Sequence, residues 1–182
     1  MKPSRPLYER EPELAAARQA VNALCGGQSA GGLLVFSGEA GIGKTALLGE
    51  VRALAADRCT VWSARGGETV TSVPFHVVRQ LLQPALDQFP ADEARALFGD
   101  WFEITAPALG LAEPRGPQPD PQGVRDGLDF VVARLASRLG HRPLLLIVDD
   151  AHWVDGESLA WLAGVTVRLS ELPVLVVQAD RP

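Results

Sequence analysis

Lys44 and Thr45 close an octapeptide, Gly38-Glu39-Ala40-Gly41-Ile42-Gly43-Lys44-Thr45, whose residue types and spacing suit a loop that wraps phosphate. The glycines at 38, 41 and 43 free the backbone to curl, so that successive N–H groups point inward at an anion. A lysine at the end of such a loop reaches the β- and γ-phosphates of a nucleotide, and the threonine hydroxyl beside it is offered to Mg²⁺. A second set of reactive side chains lies far along the chain, where Asp149 and Asp150 end the apolar run Leu144-Leu145-Leu146-Ile147-Val148. A rigid carboxylate at a strand tip can hold Mg²⁺, directly or through water, together with Thr45. Its neighbour, on the other side of the strand, can polarise an attacking water as a general base. The site therefore calls for a nucleotide with Mg²⁺, contacted by Gly38, Glu39, Ala40, Gly41, Ile42, Gly43, Lys44, Thr45 and Ala46, with Thr45 and Asp149 on the metal and Asp150 as base.

These residues need a sheet edge to meet on, and the hydrophobic pattern supplies one. Leu33–Phe36 is a short apolar run expected to form a strand covered on both faces, followed after the loop by a helix over Thr45–Leu54 with Ala46, Leu47, Val51 and Leu54 inward. Cys59–Ala64, Pro143–Val148 and Leu172–Val177 are three more candidate strands. Between them, helical spacing predicts Glu11–Leu24, with Leu14, Ala17, Val21 and Leu24 inward, and Ser72–Phe89, kinked or divided at Pro84. His76 belongs to the apolar face of the latter and reads as a core or rim residue. Ala91–Leu109 is helical and broken near Gly99, with Trp101, Phe102 and Ile104 packing inward. Val124–Leu139 ends at Gly140, and Gly156–Leu169 has Leu159, Leu162, Ala163, Thr166 and Leu169 inward. Residues 112–123 hold four prolines and read as a mobile surface loop.

Strands alternating with helices predict an α/β fold of the P-loop NTPase kind, a three-layer sandwich around a parallel sheet. The 182 residues read as one domain, with a leading segment and helix at 1–31, the phosphate-loop unit at 32–65, a helical insertion at 66–140 and the second acidic strand unit at 141–182. No run approaches the apolar length of a membrane span and the first residues lack a signal-peptide core, so a cytoplasmic protein with no membrane partner is expected. Acidic residues outnumber basic ones, 22 to 17, and the arginines are scattered, which argues against direct binding of nucleic acid. Cys25 and Cys59 stand apart without metal-ligand spacing and are expected as buried, reduced thiols.

Several stretches together resemble the ATPase module of large bacterial LuxR-type transcriptional regulators, in the STAND branch of AAA-like ATPases. They are Gly38–Leu48, Pro74–Leu82, Pro143–Asp155 with Ser158–Ala163 after it, and Leu172–Pro182. The resemblance covers nearly the whole chain, and Asp149-Asp150-Ala151-His152-Trp153 is its most specific piece beyond the phosphate loop. It implies an ATP-driven switch in which ATP and Mg²⁺ hold an open, oligomerising state and ADP a closed one, with slow hydrolysis. It also implies a sensor role for Arg181 at the γ-phosphate. Two positions depart from the family pattern: Glu9 replaces a glycine near the adenine, and Asp180 replaces threonine or alanine. A carboxylate at 180 opposes the γ-phosphate unless it is turned away or paired with Arg181. Relatives of this kind continue into a fifth strand, a lid, helical repeats and a helix-turn-helix. The phosphate-loop strand is then expected on an open edge here, inviting self-association or a C-terminal partner. Rival readings are a non-hydrolysing, nucleotide-dependent interaction module, an initiator-type DNA-associated ATPase, and a nucleotide kinase, for which the 112–123 loop makes a poor lid.

Overall fold

The computed structural model describes residues 10–26, 32–39, 41–117, 119–140, 142–168 and 173–181. Expectations for Glu9, Ala40, Leu169 and Leu172, and for the side chain of Thr166, lie outside the described residues.

Among the described residues four strands, β1 (Gly32–Ser37), β2 (Thr60–Arg65), β3 (Leu144–Asp149) and β4 (Val174–Asp180), form one sheet in the order β1-β4-β3-β2, with every pair parallel. The helices are α1 (Glu11–Cys25), α2 (Lys44–Ala55), α3 (His76–Leu86), α4 (Ala91–Phe98), α5 (Phe102–Thr105), α6 (Pro121–Arg138) and α7 (Gly156–Arg168). The result is the expected three-layer α/β sandwich. Alternate residues of each central strand feed two separate cores, as the period of two requires. Leu145, Ile147, Leu175 and Val177 pack under α1 and α2, while Leu144, Leu146, Val148, Val174 and Val176 pack under the helical layer of α3 to α7. Among the described residues, no helix is long and apolar enough to cross a membrane.

The structure corrects several expectations. β1 is covered on one face only: Phe36 is buried against the α1–α2 layer, whereas Leu33 and Val35 are 59% and 44% exposed because the second core does not extend to this edge strand. In α2 the buried apolar residues are Leu47, Leu48, Val51 and Ala55, with Ala46 exposed and Leu54 half-buried. Val73 precedes α3 and is exposed, and Pro84 sits within the last turn of that helix without dividing it. Gly99 does break the next segment, at φ 53°, and Phe102 and Ile104 pack against the core as expected, half-buried like Trp101, while Leu97 and Phe98 are fully buried. The proline-rich stretch ends sooner than expected, because Asp120 accepts a hydrogen bond from Gly123 N and caps α6, with Pro121 in its first turn. In α7 the inward face carries Ser158, Trp161, Leu162 and Val165, and Leu159 and Ala163 are exposed.

Candidate functional site

Parallel pairing in register places the carboxyl ends of all four strands on one edge. Ser37 lies opposite Asp180, and Arg65 opposite Asp149. Ligands of open α/β sheets bind outside this edge.

The loop after β1 has the curl anticipated from its glycines, with Gly41 at φ 81° and Gly43 at φ 90°, a left-handed region that side chains avoid. Gly38 lies under the Ile42 side chain, whose terminal methyl would have to turn aside for a Cβ there. Gly38 N donates to the Asp180 carbonyl at 3.3 Å, which joins the loop to the tip of β4. Lys44, the first residue of α2, is 9% exposed, and its Nζ donates to the carbonyls of Gly38 and Glu39. No side chain caps α2, so its first N–H groups face the loop uncapped, the arrangement that receives phosphate in such loops. On the outside of the loop, Arg10 donates to the Ile42 carbonyl at 3.1 Å.

The two halves of the site, remote in sequence, meet at Thr45 and Asp149. Thr45 Oγ1 donates to Asp149 Oδ2 at 2.8 Å. A hydroxyl and a single carboxylate suit Mg²⁺, which takes one or two carboxylates and completes its shell with phosphate oxygens and water. The lack, among the described residues, of a cluster of three or more acidic, histidine or cysteine side chains is compatible with that mode of binding.

Asp150 turns away from this pair. Its backbone is left-handed, φ 49° and ψ 50°, which is costly for a non-glycine residue and is held by its surroundings. Arg65 Nε donates to Asp150 Oδ2 at 2.7 Å and its second nitrogen approaches the same oxygen at 2.6 Å. The bond to Asp150, with the nearby charges of Asp150 and Asp149, pushes the Arg65 guanidinium above its ordinary range. Gln80 grips the backbone of Arg65 at both ends, accepting from its N at 3.1 Å and donating to its O at 3.0 Å. Gly66 has no room for a side chain, since a Cβ would come within 2.3 Å of the Asp150 carbonyl. The sequence reading ended the second strand at Ala64 and gave Arg65 no role, whereas the strand includes it; its one signal was a charged residue at the carboxyl end of a parallel strand.

Asp155 was missed as well. It is 2% exposed, and its carboxylate accepts from Phe75 N at 2.8 Å, Ser158 N at 2.9 Å and Val77 N at 3.2 Å. One acid thus caps the starts of both α3 and α7 and fixes the segment that follows Asp149 and Asp150.

Asp180 accepts from the backbone N of Arg181 at 2.8 Å, and its Oδ1 lies 3.6 Å from His152 Nδ1. Its hydrogen-bond partner is therefore that N–H, and its carboxylate lies near the His152 ring without bonding to it. Arg181 is exposed at the sheet edge next to the loop, as are Glu39, Ile42 and Ala46.

Over residues 6–177 the sequence matches the AAA ATPase domain family. It is also similar to an uncharacterized protein of Rhizobium meliloti (strain 1021), with 28% identity over 193 residues that cover 97% of this chain and 19% of that protein. The chain thus spans about a fifth of the length of that curated relative. A parallel four-stranded sheet, a glycine-rich loop closed by Lys44 and Thr45, and an acidic strand tip bonded to that threonine agree with the sequence match: the chain belongs to the AAA ATPase domain family, a nucleotide-binding ATPase module.

Proposed function

We propose that this chain is the ATP-dependent switch module of a LuxR-type, signal-responsive transcriptional regulator, a Mg²⁺-dependent ATPase of slow turnover. The observation that supports the ATPase part is the 2.8 Å bond from Thr45 to Asp149, which brings together beside the phosphate loop the two side chains that would hold Mg²⁺. Thr45 and Asp149 would hold Mg²⁺, which would supply charge neutralisation for the phosphates. Lys44 leaves its two loop carbonyls for phosphate oxygens, and the N–H groups of the loop and the first turn of α2 orient them. Asp150 is the base that takes a proton from the attacking water, and Arg65 restrains it. Arg181 reads the γ-phosphate from the end of β4. The LuxR context rests on the motif resemblance, above all Asp149–Trp153, and on the relative's much greater length. In that context the open edge of β1, with Leu33 and Val35 exposed, pairs with a following segment of the regulator or with a second copy.

A second reading is favoured by the Arg65–Asp150 pair itself: a carboxylate neutralised by an arginine is a poor base, so the module would bind nucleotide as a structural signal without hydrolysing it. Single-turnover phosphate release, alongside calorimetric titration with ATP and ADP with and without Mg²⁺, separates the two. The switch reading expects slow release that Asp150→Asn abolishes while ATP binding persists, and that Arg65→Ala accelerates. No release from the unaltered chain, despite ATP binding, selects the second reading. The net charge of −5 disfavours an initiator-type DNA-bound role, and salt-sensitive DNA binding would restore it.

A further inference from the structure

The chain has two cysteines, and the fold brings them together. Cys25 ends α1, Cys59 immediately precedes β2, and their Sγ atoms are 3.3 Å apart with both thiols free. The backbones carrying them are fixed independently of sulfur. Arg58 donates to Asn22 Oδ1 at 2.8 Å, tying α1 to the turn before β2, and the N–H groups of Arg58 and Cys59 both bond to the Ala55 carbonyl. A disulfide is about 2.05 Å long, so each sulfur needs to move only ~0.6 Å.

We infer that Cys25 and Cys59 form an oxidation site in which a hydroperoxide converts the two thiols into an intramolecular disulfide, stapling the end of α1 to the start of β2. The roles follow from exposure. Cys59 is 3% exposed, and burial together with the neighbouring Cys25 pushes its thiol up to about 12, so it is not the first to react. Cys25 is half-buried and reachable. Its thiolate attacks one peroxide oxygen, breaking the O–O bond to give a sulfenic acid and an alcohol or water. Cys59 sulfur then attacks the oxidised sulfur; the S–OH bond breaks, and hydroxide leaves as water with the Cys59 proton. Two thiols and one hydroperoxide give one disulfide, one alcohol or water from the peroxide, and one further water.

The staple acts on a helix with a stake in the nucleotide site. α1 starts directly after Arg10, which bonds to the phosphate-loop carbonyl of Ile42, and α1 shares a core with α2 through Ala17, Val21, Leu24, Leu47 and Val51. The cysteine site goes beyond the ATPase reading and is read out on the thiols alone, without nucleotide.

The test is stoichiometric hydrogen peroxide added to the reduced chain, followed by denaturing mass spectrometry, maleimide counting and a melting curve. The expected result is a loss of about 2 Da, with both thiols hidden from maleimide until dithiothreitol is added. The product stays monomeric on a non-reducing gel, and its melting temperature is roughly 5–10 °C above that of the reduced chain. Cys25→Ser and Cys59→Ser must each abolish the mass loss. A gain of about 16 Da or more with Cys59 still labelled, a disulfide-linked dimer, or no reaction in excess peroxide overturns the proposal.

Discussion

Replacing Asp155 by alanine removes one carboxylate and strands three backbone donors in a place water does not reach. The Val77 and Ser158 N–H groups lie in the first turns of α3 and α7, and losing each cap costs ~1 kcal/mol. Phe75 N lies outside the helix on a buried residue and costs a further ~1–3 kcal/mol when left unpaired. The sum is ~3–5 kcal/mol, a large share of the ~5–15 kcal/mol that separates a native domain from its unfolded chain. Asp155→Asn keeps one oxygen, so two of the three donors can stay paired while Val77 N meets an amide that cannot accept; about half the loss is expected. Urea unfolding followed by tryptophan fluorescence reads both, since Trp153 and Trp161 flank the site in sequence. If Asp155→Ala costs under ~1 kcal/mol, the carboxylate is not the joint between the acidic segment and the two helices.

Lys44→Ala should weaken ATP binding by more than about tenfold, or ~1.4 kcal/mol, because the phosphate contact is charge-assisted; calorimetric affinity within about threefold of the parent would refute its role. Asp149→Ala should weaken Mg²⁺-ATP while leaving metal-free nucleotide binding nearly intact, and equal loss in both titrations would make the carboxylate structural. Cys59 gives a pH signature in the reduced chain. Its thiol is pushed from the usual 9.0 to about 12, so the folded chain keeps a proton that the unfolded chain gives up. Its contribution to stability is therefore complete below pH ~9 and lost as pH rises toward ~12. The urea midpoint should fall between pH ~8 and ~10, and fall less in Cys59→Ser; parallel curves would contradict the assignment.

The parts of the site that were legible in the sequence are those fixed by local chemistry. A loop that must curl around an anion needs glycine at set places, and Gly41 and Gly43 are left-handed as that requires. Thr45 and Asp149 were paired from motif spacing, and the parallel sheet supplies the register that joins them. What stayed hidden depended on partners remote in sequence. Along α7, helical spacing fits Leu159 and Ala163 as well as Ser158 and Trp161. The second pair is buried because Ser158 Oγ receives Val78 N at 3.1 Å and the Trp161 indole donates to Asp129 at 2.9 Å. Polar atoms on an inward face are invisible to a hydrophobic pattern when their partners lie on another helix. The same blindness concealed Asp155, two of whose donors come from the remote start of α3, and Arg65, whose partner follows the next strand of the sheet. β1 misled for the opposite reason: four apolar residues in a row look two-sided, yet only one layer of helices reaches that edge.

The strand order also sets a schedule for folding. β1 is made early, but among the described residues its partner in the sheet is β4, with Gly32 in register with Leu175, so the phosphate loop hangs from a strand that waits for β4 to be synthesised. At ~5–20 residues per second, translation leaves the apolar β1 segment unpaired for on the order of ten seconds. Contacts this distant are slow to close once available, and an unpaired apolar strand is exposed to mispairing in the interval. β2 and β3 can pair while β4 is still being made, so nucleotide competence should follow the late docking of β1 against β4 rather than the pairing of β2 with β3.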